Sequence, residues 1–164
     1  MSKENKFETN AIHVGNIPDP STGSISPPIH LTSTYVQDGI GKNKGFDYSR
    51  GTNPTRERLE KNIASLEGGY DAIAFSSGMA ATTALLQHLK QGDHVIISRN
   101  VYGGTYRMTT QVLSNHGLKF DFVDTTDTQN IKETIKPETK WVFIETPTNP
   151  MLEVTDISAV SKIC

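Results

Sequence analysis

The sequence contains one cysteine, no cluster of histidines and no large excess of charge of one sign. Each of these absences argues against one class of protein. Its single cysteine, Cys164, excludes an internal disulfide framework and fits a reducing cytoplasm. The five histidines include no close pair at metal-ligand spacing, so we expect no metal site. A net charge of −2 without a basic run gives no indication of nucleic-acid binding. No apolar run is long enough to cross a membrane, and the polar N-terminus lacks the core of a signal peptide. The composition therefore predicts a cytoplasmic globular protein.

Downstream of Gly69, the sequence alternates between strand-like and helix-like runs. The strand-like runs are residues 71–75, 94–98, 118–123 and 141–145, and the helix-like runs are residues 78–90, the stretch ending at about 116, 128–135 and the stretch from Asp156 onward. This order is typical of an α/β protein with a mainly parallel sheet covered by helices. Ligands of such sheets gather at the carboxyl ends of the strands. The loops to consider are therefore residues 76–79, 99–104, 124–127 and 146–150.

The turn between the first strand-like run and its helix has the composition of an anion site. Residues 75–81 read Phe-Ser-Ser-Gly-Met-Ala-Ala, in which Ser76 or Ser77 is a natural N-cap. Gly78 allows a close approach to the backbone, and the N–H groups of a first helical turn lack helical partners. A phosphate is the anion that suits such a turn best. On this stretch alone, the alternative of an ordinary strand–helix turn with a capping serine is favoured, because open α/β proteins contain many such turns.

A proline- and glycine-rich arm precedes this region, irregular from Asn16 to Gly45. Asn53 and Pro54 then predict the start of a helix that ends at Gly68. Between the arm and the helix, Tyr48 and Arg50 carry a phenol and a guanidinium, which are good phosphate partners. Chemistry alone favours the alternative, a surface arginine beside a half-buried tyrosine.

Two of the later loops also carry side chains suited to a flat, polar ligand. Tyr102 lies on a loop hinged by glycines, where its ring can stack on a planar cofactor or pack in the core. Glu145 and Asn149 flank a loop that contains two prolines. Asn149 can hydrogen-bond a phenolate or carboxylate, or it can serve as a turn residue.

Taken together, these segments resemble the Cys/Met-metabolism pyridoxal-phosphate enzymes, a family that includes cystathionine γ-synthase, cystathionine γ-lyase, cystathionine β-lyase and methionine γ-lyase. The resemblance rests on Tyr48-Ser49-Arg50 with the following Asn-Pro-Thr, the Ser-Ser-Gly-Met-Ala-Ala turn from Ser76, the Val-Tyr-Gly-Gly-Thr loop from Val101, and the Glu-Thr-Pro-Thr-Asn-Pro loop from Glu145. Each motif is weak alone, but the four occur in the family's order and approximate spacing. The resemblance extends from about Thr9 to the end of the chain.

The resemblance implies a role for each of several residues. It implies that the cofactor, pyridoxal 5′-phosphate, is bound by Tyr48, Ser49, Arg50, Gly78, Met79, Tyr102 and Asn149. Among these, Tyr48 and Arg50 would reach the phosphate of the neighbouring subunit, Tyr102 would stack on the ring, and Asn149 would bind the ring's 3-oxygen. The residues implied to lie near the amino-acid substrate are Asp47, Tyr102, Arg107 and Glu145.

The implied fold is the first part of a fold-type I pyridoxal-phosphate enzyme. Residues 1–50 would form an arm on the neighbouring subunit of a homodimer or homotetramer, and residues 51–164 would begin the cofactor domain. Members of the family are longer, and their Schiff-base lysine and pyridinium-pairing aspartate have no match here. Lys140 has a similar local context but precedes its strand, on the edge opposite the ligand loops. We therefore expect a fragment that is inactive alone, with no catalytic residue of its own and an uncovered apolar face at Ile157, Val160 and Ile163.

The reaction implied by the resemblance is trans-sulfuration in cysteine and methionine metabolism. Cystathionine γ-synthase or γ-lyase chemistry, at the γ-carbon, is the first expectation. A cystathionine β-lyase, a methionine γ-lyase or an O-acetylhomoserine sulfhydrylase of the same family is the alternative. A non-catalytic phosphate-binding module and an interaction fragment are further alternatives, although neither a P-loop nor a dinucleotide-binding glycine pattern is present.

Overall fold

The computed structural model describes residues 6–164, and the chain divides into two compact units between Phe75 and Ser76. The first unit contains two helices, α1 (Phe7–His13) and α2 (Pro54–Glu67). The second contains three strands, β1 (His94–Ser98), β2 (Lys119–Val123) and β3 (Thr139–Phe143). Its helices are α3 (Gly78–Leu86), α4 (Gly103–Arg107), α5 (Thr128–Thr134) and α6 (Ile157–Ile163).

Helix α2 begins and ends as its sequence predicts. The Asn53 side chain accepts a hydrogen bond from the Thr55 N–H at 2.8 Å, and Pro54 occupies the first helical position. Gly68 ends the helix with a left-handed conformation. The amide of Asn62 on α2 donates to three carbonyls at the C-terminal end of α1, so a side chain joins the two helices. Helix α1, which has no buried residue, was not predicted.

The arm between α1 and α2 is irregular, as predicted, and is held by hydrogen bonds to α2 and to itself. Gly15 has φ +78° and lies so close to α2 that a Cβ there would approach the Arg58 carbonyl oxygen to 2.4 Å. Further along, the Arg58 guanidinium donates to the Pro28 carbonyl at 3.0 Å. The arm of the first unit therefore has a defined path along α2.

The prediction of a strand at residues 71–75 is wrong, because this segment forms no strand in the structure. A strand requires a neighbour for its N–H and C=O groups, and here the Ala74 N–H donates instead to the Glu60 carboxylate at 2.9 Å. Ile73 is 73% exposed, so the apolar run is not buried within the described residues. Within residues 6–164, the parallel sheet consequently has three strands rather than four.

The sheet of the second unit is parallel throughout, in the order β2–β1–β3. All five residues of β1 are buried, as expected for a central strand covered on both faces. Val95 and Ile97 pack with Leu86 of α3 on one face, whereas Ile96 packs with Ile131 of α5 on the other. This alternation places α3 and α5 on opposite faces and confirms the predicted α/β class.

Three elements differ in detail from the prediction. Helix α3 ends at Leu86 rather than near residue 90, and the N–H groups of His88 and Leu89 make tighter turns to Leu85 and Leu86. Helix α4 continues as a π-helix (Met108–Val112) and a 3₁₀-helix (Leu113–His116) that ends at Gly117, as predicted. Strand β3 also begins two residues before its predicted start, at Thr139.

Helix α6 is better covered than its sequence suggests. Val160 is buried with Ile96 and Ile131, and Ile163 packs against the same cluster. Only Ile157 of the predicted uncovered face is exposed. The expectation of an uncovered face is therefore wrong for Val160 and Ile163, because α5 and α6 close this side of the sheet together.

A buried histidine at the start of β1 hydrogen-bonds to β3 and lies beside an aspartate of β2. The His94 side chain is fully buried, with Nδ1 2.8 Å from Thr139 Oγ1 and Nε2 3.2 Å from Asp121 Oδ2. Burial lowers the pKa of His94, and Lys136 adds to this effect. Asp121 also accepts a hydrogen bond from Lys136, which lowers the pKa of that carboxyl. His94 is therefore held in its neutral form at physiological pH.

Within residues 6–164, no helix combines the length and the apolar character needed to cross a bilayer.

Candidate functional site

The N-terminus of α3 presents free backbone donors. Ser77 is the N-cap, and its hydroxyl accepts from the Ala80 N–H at 3.1 Å. Within residues 6–164, the N–H groups of Gly78 and Met79 donate no hydrogen bond. A Cβ on Gly78 would meet nothing within 4 Å, so the space in front of this turn is open. Two free donors at a helix N-terminus can bind an anion.

The ring of Tyr102 lies beside this turn. A Cβ on Gly104 would approach Tyr102 Cε1 to 2.5 Å and Met79 Sδ to 2.9 Å, so ring and thioether share the space that a side chain would need. The Thr105 hydroxyl is 3.8 Å from the same Met79 sulfur. Tyr102 remains 58% exposed. The exposed ring is therefore available for stacking beside the two free donors.

Glu145 connects the loop after β3 with the loop after β1. Its Oε2 accepts from the Tyr102 N–H at 2.7 Å, and its own N–H donates to Ser98 Oγ at 3.2 Å. Strands β1 and β3 are parallel neighbours, so their carboxyl ends lie at the same edge of the sheet. The predicted loops at 99–104 and 146–150 are thus brought to one place.

A chain of buried hydroxyls lies beneath these loops. Ser98 Oγ is 3.0 Å from Thr125 Oγ1, which is 2.7 Å from Thr155 Oγ1. All three side chains are buried. These contacts join the last residue of β1 to the segments that follow β2 and β3, and therefore hold the carboxyl edge of the sheet together.

Asn149 lies in a turn whose shape is set by its neighbours. The buried Thr148 donates its N–H to the Glu153 carbonyl at 3.0 Å and accepts the Leu152 N–H at 2.8 Å. The Thr146–Pro147 and Asn149–Pro150 peptide bonds are cis. Within the described part of the chain, the exposed amide of Asn149 makes no hydrogen bond, so it is free to bind a ligand.

The charged side chains at this edge are partly paired. Arg99 contacts Asp124 at 3.0 Å and Glu153 at 2.7 Å. The Arg99 hydrogen bond lowers the pKa of the Glu153 carboxyl. Arg107, at the end of α4, is exposed and forms no ion pair within residues 6–164. Arg107 rather than Arg99 is therefore the arginine available to a ligand.

The remaining predicted residues, Asp47 to Arg50, lie in the first unit. An isolated bridge pairs Tyr48 with Thr34, and the Arg50 guanidinium stacks on the Tyr48 ring at 4.8 Å from its centroid. Both side chains are exposed. The Ser49 hydroxyl instead accepts from the Asn53 amide at 2.9 Å and donates to the Thr32 carbonyl. Ser49 thus orients the segment that presents Tyr48 and Arg50.

The structure therefore brings Met79, Tyr102 and Glu145 together in the second unit, whereas the Tyr48 segment belongs to the first. Their individual roles, and those of Asp47, Arg107 and Asn149, stay predictions. Lys140 is the second residue of β3 and lies near its amino end, away from the ligand loops.

Several residues at this edge were missed in the sequence. Ser98, Thr125 and Thr155 form the hydroxyl chain, and only their positions after strand-like runs could have indicated them. Gly104 was noted as part of a hinge, but the space it leaves for Tyr102 and Met79 depends on tertiary structure. Local sequence cannot show such an approach.

The groups that the second unit presents at this edge are chemically suited to pyridoxal phosphate. The free N–H groups of Gly78 and Met79, with the open space before Gly78, suit a phosphate. The exposed Tyr102 ring suits a flat heterocycle. The amide of Asn149, which has no partner among residues 6–164, suits a ring oxygen. A phosphate, an aromatic face and a polar substituent are the three parts of this cofactor.

Comparisons with known proteins also indicate a pyridoxal-phosphate enzyme family. A sequence profile of the family described as "Cys/Met metabolism PLP-dependent enzyme" matches residues 8–164. The chain is 46% identical over 157 residues to a probable cystathionine γ-synthase of Herpetosiphon aurantiacus, covering 96% of this chain and 49% of the relative. It is 47% identical over 157 residues to a cystathionine β-lyase of Lactococcus lactis subsp. cremoris, covering 96% and 41%.

A solved structure extends the likeness to three dimensions. The cystathionine γ-lyase of Lactobacillus plantarum, crystallised with L-serine, matches with a TM-score of 0.89 and 45% identity, over 97% of this chain and 42% of that one. The chain thus spans less than half the length of these three relatives. The match to the family profile nevertheless covers nearly all of the sequence, and the fold agrees. The chain belongs to the Cys/Met-metabolism PLP-dependent enzymes.

Proposed function

We propose that the protein carrying this chain is a pyridoxal-phosphate enzyme that forms or cleaves a C–S bond in an amino acid of the cystathionine type. The observation that carries the proposal is the placement of the exposed Tyr102 ring against Met79, beside two N–H groups that have no hydrogen-bond partner in the described part of the chain. This arrangement offers a phosphate site and a stacking surface for one ligand. Family membership supports pyridoxal phosphate as that ligand.

In this proposal the chain supplies several of the contacts that hold the cofactor. Gly78 and Met79 bind the phosphate through their N–H groups, and Tyr102 stacks on the ring. Asn149 donates its amide N–H to the ring's 3-oxygen. The bound cofactor supplies an electron sink for the substrate, while the protein sets orientation and excludes water.

The substrate side is proposed to consist of Asp47, Tyr102, Arg107 and Glu145. Arg107 is exposed within the described residues and can pair with a substrate carboxylate, a geometry that suits a guanidinium. Asp47 is exposed as well and can attract the substrate's ammonium group. Glu145 places one carboxylate oxygen on Tyr102 and has a second oxygen for a ligand.

The first unit is proposed to act across a subunit boundary in a homodimer or homotetramer. Tyr48 and Arg50 form an exposed phenol–guanidinium pair held in position by Ser49. Such a pair suits a phosphate, and we assign it to the partner's cofactor. Residues 1–50 would then be an arm, and residues 51–164 the first part of the cofactor domain. A single cysteine supports placement in the cytoplasm.

The γ-carbon reactions of a cystathionine γ-synthase or γ-lyase are the proposed chemistry. The similar proteins include a probable γ-synthase, a γ-lyase and a β-lyase, so sequence likeness supports the substrate class rather than one reaction. Incubation of the full-length protein with cystathionine distinguishes the reactions by product. Release of cysteine indicates γ-cleavage, release of homocysteine indicates β-cleavage, and formation of cystathionine from cysteine and an activated homoserine indicates synthesis.

The cofactor assignment is tested with two substitutions of Tyr102 in the full-length protein. Tyr102→Phe keeps the ring face and should retain pyridoxal phosphate, whereas Tyr102→Ala should weaken its retention by about 1 kcal/mol through lost aromatic contact. Equilibrium dialysis at several cofactor concentrations measures the difference. Pyridoxal without its phosphate is the matched ligand control, since it should bind much more weakly. Equal retention by the Ala and Phe variants would show that the ring is structural.

A further inference from the structure

We infer that Glu145 is a positioning residue, which holds Tyr102 in place by accepting its backbone N–H. This inference rests on the proposed function, since it concerns the ring assigned to the cofactor. A carboxylate near a substrate site is ordinarily expected to pair with a positively charged group of the ligand. Here the contact that the structure shows is with a backbone amide at 2.7 Å.

The position of Tyr102 explains why its N–H needs such a partner. Tyr102 directly precedes α4, so its N–H has no helical acceptor and its side chain does not cap the helix. Its side chain is exposed, and the first two residues of α4 that follow it are glycines without side chains, so few other groups restrain it. The hydrogen bond to Glu145 therefore fixes the point from which the ring projects toward Met79.

Glu145 is itself held by buried groups. Its N–H donates to Ser98, which continues through Thr125 to Thr155 by hydroxyl contacts of 3.0 and 2.7 Å. Because these hydroxyls are buried, water has little access to their hydrogen bonds. A continuous path of hydrogen bonds therefore runs from the sheet edge through Glu145 to Tyr102.

The surroundings of Glu145 favour an acceptor role over a charge-pairing role. Within residues 6–164, its carboxylate forms no ion pair, whereas Glu153 in the same connection binds Arg99 at 2.7 Å. A backbone N–H requires only an oxygen of the correct position, which a glutamine amide also supplies. Glutamine should therefore replace Glu145 in this role, while alanine should not.

The experiment compares Glu145→Gln and Glu145→Ala in the full-length protein, with Glu153→Ala as the matched control. Hydrogen exchange of the Tyr102 amide, measured without cofactor, reports the bond itself. Glu145→Ala should speed this exchange about tenfold or more, because a hydrogen bond to a charged group is lost. Glu153→Ala should stay within about threefold of the parent, and Glu145→Gln, which keeps a neutral acceptor oxygen, should fall between the parent and Glu145→Ala. Pyridoxal phosphate affinity, measured by dialysis, should follow the same order.

Each outcome decides a separate question. Unchanged exchange in Glu145→Ala overturns the inference, because Tyr102 is then held by other contacts. Loss of affinity in Glu145→Gln equal to that in Glu145→Ala also overturns it, since charge rather than an acceptor oxygen is then required. If the parent protein binds no pyridoxal phosphate, the proposed function fails, while the exchange result still decides whether Glu145 holds Tyr102.

Discussion

Replacement of Gly104 by alanine tests the link between fold and cofactor most directly. The added Cβ would lie 2.5 Å from Tyr102 Cε1, 3.1 Å from Tyr102 Cδ1 and 2.9 Å from Met79 Sδ. Carbon atoms in contact are normally about 3.5–4.0 Å apart, so the ring must move by about 1 Å or more. Because the ring is more than half exposed, it can rotate into solvent rather than force the backbone apart.

We expect Gly104→Ala to change the free energy of unfolding only slightly, because a gain in helix propensity and a cost in side-chain strain oppose each other. Alanine in a helix is favoured over glycine by about 0.5–1 kcal/mol. A ring driven away from its preferred rotamer costs about 0.5–1.5 kcal/mol. Cofactor affinity should fall about two- to twelvefold, because displacement of the ring forfeits a stacking interaction of about 0.5–1.5 kcal/mol.

Gly103→Ala is the matched control, one residue earlier in α4. A Cβ there meets only the tip of the Arg107 side chain at 3.3 Å, which can move aside. We expect Gly103→Ala to gain the stability that alanine has over glycine in a helix, and to keep its affinity for the cofactor. Dialysis with pyridoxal phosphate and urea unfolding of both variants provide the measurements. Equal affinities for Gly103→Ala and Gly104→Ala would refute the reasoning.

A double variant strengthens the test. In Tyr102→Ala/Gly104→Ala the ring that must move is absent, so the second substitution should cost no further affinity. The two effects should therefore be strongly non-additive, as expected for residues in contact. Additive losses would show that Gly104 acts through the backbone or Met79 rather than through the ring.

Three further predictions concern assembly, pH and packing. Mixed dimers of an Arg50→Ala subunit and a subunit lacking its cofactor lysine should regain activity in one site, and failure in confirmed dimers would refute sharing across subunits. Because the pKa of His94 is lowered, its contribution to stability is full above its ordinary value of 6.5 and is lost as the pH falls through the folded-state pKa. Urea unfolding between about pH 7 and 5 should show a slope of at most about 1.4 kcal/mol per pH unit, which His94→Gln should remove. Ile131→Val should destabilise by about 1 kcal/mol because Ile131 is fully buried, whereas Ile135→Val, at a 41% exposed position, should cost much less.

The features predicted correctly from the sequence are those decided by nearby residues. Asn53 and Ser77 cap their helices as expected, because a capping side chain reaches only two or three residues along the chain. Strand β1 is found at its predicted bounds, since a short run of buried β-branched residues between turns has few alternatives. The order of elements, and hence the fold class, follows from such local signals.

The features that were missed depend on residues distant in sequence. Residues 71–75 have the composition of a strand, but a strand exists only where a neighbour pairs with it. The contact of Tyr102 with Glu145 spans 43 positions, and that of Ser98 with Thr125 spans 27. Family resemblance indicated which residues to consider, while only the structure shows how they hold one another.

Strand β1 is anchored at both ends, which constrains how its length can vary. His94 binds across the sheet at the amino end, and Ser98 binds Thr125 and Glu145 at the carboxyl end. Successive side chains of a strand point to opposite faces, so one inserted residue would turn Ser98 away from its partners. We therefore expect insertions and deletions among natural variants of this chain to spare residues 94–98 and to accumulate in the arm, where a change of length leaves the register of the sheet intact.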